Sequence, residues 1–257
     1  MKVTFDSNTW RKVASPANFP KEPTITDYQK IRAAIDNGRV EAYLSETIFT
    51  LEAIQHVDRK SFFGNSGLKR SAEEVTVEGD TTHIGLTLSR DSTNDPRNTG
   101  YLERHFKDAS EAGFEIIHLP RIAGVGNVDV NPYRVQLTGT ALSNYLGLVF
   151  KVGRRIEQLK AGFFVVREIA KKYDPSALKG LGLAPSTEDD AIIKAVAEWA
   201  DGDSIASHIA IGGDFFCTMD KAKSGGSASV FSTANLATLH AEFGLVVVTP
   251  TELAAKL

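Results

Sequence analysis

The stretch MKVTFDSNTW (residues 1–10) decides how the rest of the chain is read. A short apolar run, Val3 to Phe5, stops on Asp6, and Ser7, Asn8 and Thr9 follow it. The run has the length and composition of a buried strand, so its last turn places a carboxylate at a strand end. Working outward, prolines at 16, 20 and 23 mark a loop, and Thr26 is placed to cap a helix running to about Asn37. VEAYL (40–44) reads as a second strand, and Ser45 caps a helix carrying Ile48, Leu51 and Ile54. Strand, helix, strand, helix in this order favours a parallel sheet with helical crossovers.

From 58 to 113 that rhythm breaks. EEVTVEGDTTHIGLTLSRD alternates on both sides of a Gly-Asp turn and predicts a β-hairpin, and residues 101–112 predict a helix. We read 58–113 as an insertion carried by the core fold. GFEIIHLP (113–120) resumes the core as a third strand, and a long helix is expected over 144–173 with a break near Gly153. Thr187 is placed to cap EDDAIIKAVAEWA, Asp203 to open a separate helix, DSIASHIAIGG, and DFFCTMD to form a strand ending on Asp220. FGLVVVTPTELAAKL closes the chain as strand, turn and short helix. The expected architecture is α/β: one domain over 1–257, three layers α/β/α around a central parallel sheet, with an inserted hairpin and helix.

The totals set bounds. The chain has 257 residues, a net charge of −3 and a pI near 6.1, so no global basic field draws it to nucleic acid, although a local groove is compatible with that balance. Cys217 is the single cysteine, which excludes an internal disulfide and a cysteine-built zinc site. No leader-like or membrane-spanning apolar run is evident, and a soluble cytoplasmic setting is the expectation.

Two strands thus end near acids, VTFDSN and FFCTMD. In an open parallel sheet the carboxyl ends of the strands form one rim, where ligands bind. Asp6 and Asp220 fall on that rim, Asp203 falls at a crossover-helix start, and Glu46 and Glu52 fall in the first two turns after strand two. Taken singly, Asp6 is an ordinary turn residue and Asp203 an ordinary cap. Gathered together, the carboxylates would repel one another, and Mg²⁺ or Mn²⁺ is the natural relief for an all-oxygen set. Asp201 and Asp214 read as cap and turn residues.

In this arrangement the chain resembles the PIN-domain family of metal-dependent nucleases, which includes toxins of toxin–antitoxin pairs. The resemblance rests on VTFDSNTW, on LSETIFTLEAI, on DGDSIASHIAIGGDFFCTMDKA and on FGLVVVTPTEL, covering 1–56 and about 187–257. It implies a ribonuclease hydrolysing RNA phosphodiester bonds, with Asp6, Glu52, Asp203 and Asp220 as catalytic metal ligands for Mg²⁺ or Mn²⁺. Glu46 competes with Glu52 for the second place, and Asn8 and Thr218 would support the ligands by hydrogen bonds. RNA as substrate, an antitoxin protein and a second copy of the chain are the partners it implies, with no membrane. The alternative is a non-catalytic PIN-like module that binds RNA or protein. An aspartyl-phosphate phosphohydrolase would want Asp-x-Asp at the first strand end, where this chain has Asn8.

Arg59, Lys60, Lys69 and Arg70, with Phe62 and Phe63 between them, form the best local basic patch for RNA, against the plainer reading of a solvated loop anchored by two phenylalanines. GVGN (124–127) lacks the glycines of a phosphate cradle, and SGGSAS (224–229) reads as a flexible loop beside Asp220.

Overall fold

The computed structural model describes residues 1–55, 58–64, 68–78, 81–90, 99–119, 129–220 and 228–257. Five strands form one all-parallel sheet: β1 (Lys2–Phe5), β2 (Glu41–Ser45), β5 (Phe114–Ile117), β6 (Phe215–Cys217) and β7 (Val247–Val248), in the order β5-β2-β1-β6-β7. The register aligns their carboxyl ends, since Phe5 pairs with both Leu44 and Cys217, and Cys217 pairs with Val248. Asp6 N–H then donates to Cys217 O at 3.0 Å, and Thr218 N–H to Val248 O at 3.0 Å. The residues that follow β1, β2 and β6 therefore share a rim.

Period-two alternation sends side chains to both faces of the sheet. Val3, Phe5, Ala42, Leu44 and Cys217 pack with α1 (Ser7–Ala14), α2 (Ile25–Asp36), α5 (Thr99–Glu111) and α11 (Pro250–Ala254). Tyr43, Ile117 and Phe216 face the other way, against α6 (Gly139–Gln158), α9 (Asp189–Ala210) and α10 (Thr233–Phe243). A third cluster joins α4 (Arg59–Gly64), α7 (Phe163–Ala170) and α8 (Ala177–Leu183) to Trp199 and the N-terminal half of α9. The short α3 (Thr47–Thr50) follows β2. Among the described residues no helix is long and apolar enough to cross a membrane.

The expected hairpin forms, and three other expectations change. The hairpin exists as β3 (Leu68–Glu78) paired antiparallel with β4 (Thr81–Arg90), with its Gly-Asp turn outside the described residues. The stretch read as insertion also contains α5, whose Leu102, Phe106 and Ala109 lie in the main core, so α5 belongs to the crossover from β2 to β5. The long helix breaks not at Gly153, which is buried inside α6, but between α6 and α7, where Lys160 and Gly162 both take φ of +61°.

The third change concerns Asp203. Asp203 does not open a helix, because α9 runs unbroken from Asp189 to Ala210. Asp201-Gly202-Asp203 looks like a break in sequence, but Gly202 is there for packing: a Cβ on it would lie 2.9 Å from the Cα of Gly162. Gly202→Ala is expected to push α9 away from the α6–α7 link and destabilise the fold by about 1–3 kcal/mol, read as a lower urea midpoint.

Candidate functional site

Asp6 is the centre of the rim. It is the N-cap of α1, and its Oδ1 accepts from Ser7 N at 2.7 Å. Its Oδ2 accepts from Asn8 Nδ2 at 2.9 Å and from Thr218 Oγ1 at 2.5 Å. Asn8 also donates to Thr218 Oγ1 (3.2 Å) and accepts from Met219 N (3.0 Å), while Asp220 N donates to Thr218 Oγ1 (2.9 Å). Residues far apart in sequence, 6–8 and 218–220, are thus locked into one hydrogen-bonded unit. Asn8 and Thr218 both act on the Asp6 carboxylate.

The acids around this unit act on each other. Burial raises the Asp6 carboxyl above its usual range, hydrogen bonds from Thr218 and Ser7 pull it down, and Asp220 raises it again. Glu52 is pushed up to about 7 by burial and by Asp6, with Ser7 and Arg59 opposing. Asp201 is raised well above its usual range by burial, then by Asp6, Glu52, Glu198 and Asp220. Asp6, Glu52, Asp201 and Asp220 therefore share one electrostatic neighbourhood. Two further contacts hold α9 on the sheet: Ser204 Oγ meets Thr47 Oγ1 at 2.7 Å just beyond β2, and His208 Nδ1 meets Thr4 Oγ1 at 2.9 Å within β1.

Asp201, set aside in the sequence reading, and Glu198, not weighed there, come forward because α9 is continuous. They are three residues apart and share a helix face, whereas a two-residue step turns about 200° and points Asp203 away from Asp201. Asp203 Oδ2 accepts from Trp199 Nε1 at 2.8 Å, and its charge is felt by Tyr145 together with that of Glu46. Glu198 Oε1 accepts from Gly162 N (3.0 Å) and Val230 N (2.7 Å), fastening two loops to α9.

Glu46 is fully buried and committed elsewhere. It pairs with Arg134 and accepts from His118 Nδ1 (2.8 Å) and Leu119 N (3.0 Å). Of the basic patch, Arg59 is buried and donates to Ile54 O (3.4 Å) and Ile193 O (2.7 Å), so it is a structural cation rather than a phosphate receptor. Lys60 lies 3.7 Å from Asp189, and Phe62 and Phe63 are buried in the third cluster. Lys69 and Arg70 fall on β3 of the hairpin. GVGN and residues 224–227 of the Gly/Ser loop lie outside the described residues.

The chain matches no family model, no curated protein and no solved structure with which it was compared.

Among the described residues, no group of three or more His, Cys, Asp or Glu side chains is arranged to hold a metal ion as it stands. The chemistry of the donor set nonetheless fits a hard divalent cation. It is all oxygen, and Asp6, Glu52 and Asp201 all have raised proton affinity. Burial is the main cause and repulsion between the acids adds to it, and a cation would offset both.

The raised carboxyls have a consequence for stability. Between pH 4.5 and about 7 the folded chain keeps a proton on Glu52 that the unfolded chain has released. This contribution lowers stability as pH rises through that window, by on the order of 3 kcal/mol. Buried His208, pushed down to about 4, works in the opposite direction over part of the same range, so wild type alone does not isolate the effect. Glu52→Gln should be close to wild type near pH ~5 and more stable than wild type near pH ~7.5, in urea melts at both.

Proposed function

We propose that this chain is a PIN-type ribonuclease that depends on Mg²⁺ or Mn²⁺. Asp6, Glu52, Asp201 and Asp220 are its acids, with Asp201 in the place first expected of Asp203. The observation that carries the reading is the hydrogen-bonded unit that joins Asp6 and Asn8 to Thr218 and Asp220 at the carboxyl rim of a parallel sheet, with Glu52 and Asp201 near enough to feel the charge of Asp6. When bound there, the cation supplies charge stabilisation on the phosphodiester and lowers the pKa of water. The chain's own residues do the rest. Asn8 and Thr218 fix the direction of the Asp6 carboxylate, Arg59 balances part of the charge on Glu52, and Glu198 anchors α9 against the neighbouring loops. A toxin role, with an antitoxin protein as partner, belongs to the same reading.

The second reading, a non-catalytic PIN-like module binding RNA or protein, draws support from the absence of a closed metal-binding group among the described residues. Incubation with end-labelled RNA separates the two. The ribonuclease reading expects cleavage in Mg²⁺ or Mn²⁺, stopped by chelator. A chain that cleaves equally well in chelator, or not at all in either metal, is not this enzyme.

A further inference from the structure

A groove between α6 and α7, floored by Trp199 of α9, takes no part in the acid site. Its volume is about 400 Å³, and Phe150, Arg154, Glu157, Phe163, Arg167 and Leu178 line it with Trp199. Phe150 is 46% exposed. A single exposed ring is ordinary, but this one belongs to an aromatic and cationic setting. The rings of Phe163 and Trp199 lie 4.7 Å apart, and the Arg167 guanidinium sits 5.8 Å from the Phe163 ring. Gly147, Phe150, Lys151 and Arg154 share the exposed face of α6. Among the described residues Lys151 and Arg154 have no ion-pair partner, while Arg167 is paired with Glu157.

That composition selects the occupant. A partner helix wants an exposed ridge of apolar side chains three and four residues apart, and the exposed neighbours of Phe150 on its face of α6 are a glycine and two cations, with Leu146 only half-exposed. A ring with unpaired positive charge beside it suits a chain of flat bases and phosphates. The position suits the same ligand. Gly162, one residue before Phe163 in the groove wall, is held by Glu198, and Glu198 acts on Asp201. The groove and the acids therefore lie on two faces of one stretch of α9, about one helix diameter, ~10 Å, apart.

We propose that this groove binds single-stranded RNA, stacking a base on Phe150 and drawing phosphates to Lys151 and Arg154, and that it leads the strand to the acid site. Its delivery role rests on the ribonuclease reading.

The test is fluorescence anisotropy with a labelled oligouridylate about a dozen nucleotides long, in chelator so that it stays intact. Phe150→Ala should weaken binding about tenfold and Phe150→Trp should retain it, since the ring is what matters. Lys151→Ala with Arg154→Ala should weaken binding and flatten the dependence of log affinity on log salt by about 1.4. Wild-type affinity in Phe150→Ala, or no binding by wild type, overturns the proposal. A parallel cleavage assay in Mg²⁺ keeps the two readings apart. Cleavage that needs Asp220, together with unchanged binding in Phe150→Ala, sinks the groove alone. Binding that needs Phe150, with no cleavage, sinks the nuclease and leaves the groove as an RNA-binding surface.

Discussion

Asp220→Asn is expected to cut RNA cleavage by about a hundredfold or more while leaving the fold intact. The magnitude is that of removing one preorganised electrostatic group from a reacting centre. The fold survives because the anchoring contact in this segment is made by the backbone: Asp220 N donates to Thr218 Oγ1, and the carboxylate is not needed for it. Removing one charge also relieves Asp6, Asp201 and Glu198, all of which Asp220 raises. The variant should therefore unfold at the same urea concentration as wild type or higher. The same logic separates two acids on α9. Asp201→Asn should be as damaging to cleavage as Asp220→Asn, whereas Asp203→Asn keeps an oxygen to accept from Trp199 Nε1 and should retain most activity. Initial rates of RNA cleavage for the three variants, with urea midpoints beside them, decide the matter. A wild-type rate in Asp220→Asn refutes its catalytic assignment.

The largest effect on stability is expected at Arg134. Glu46 has no exposed surface, and Arg134 supplies its cationic partner from 88 residues further along the chain. Burial works to raise the Glu46 carboxyl, but His118, Arg134 and Leu119 together hold it below its usual range. Arg134→Met leaves that charge buried with only His118 and Leu119 N beside it and should cost about 3–5 kcal/mol. Adding Glu46→Gln removes the stranded charge and keeps an acceptor for Leu119 N, so the double variant should be more stable than Arg134→Met. The pH dependence follows from the direction of the shift. A lowered carboxyl contributes stability above its unfolded value of 4.5 and loses it as pH falls through the folded value. The gap between wild type and Arg134→Met should accordingly narrow in acid, as both proteins protonate Glu46. Urea melts across that range measure it.

The sheet was legible because its strands are short apolar runs that stop abruptly on polar residues, as Val3–Phe5 does at Asp6 and Phe215–Cys217 does at Thr218. Strand ends that meet in a parallel register gather their following residues whatever the intervening chain does, so Asp6, Asn8, Thr218 and Asp220 were within reach of sequence reasoning. The acid that α9 turns toward Asp6 was not, because it depends on phase. Reading a helix start at Asp203 rather than a continuous α9 shifts the inward face by about half a turn, and only the approach of Gly202 to Gly162 shows why the glycine does not break the helix. Glu46 and Arg59 misled for a related reason. An acid after a strand and an arginine in a basic run look available to ligands, and nothing local shows that Arg134 or the carbonyls of Ile54 and Ile193 occupy them. Burial of a charge is a property of distant partners, which one-dimensional spacing does not display.

The account stands on the acids around Asp6 sharing a divalent cation, and calorimetric titration of Mn²⁺ into wild type and Asp6→Asn measures this directly. Wild type should bind Mn²⁺ with release of protons from the raised carboxyls, and Asp6→Asn should bind it far more weakly. Equal affinity in the two proteins, or no binding heat in wild type, would contradict it.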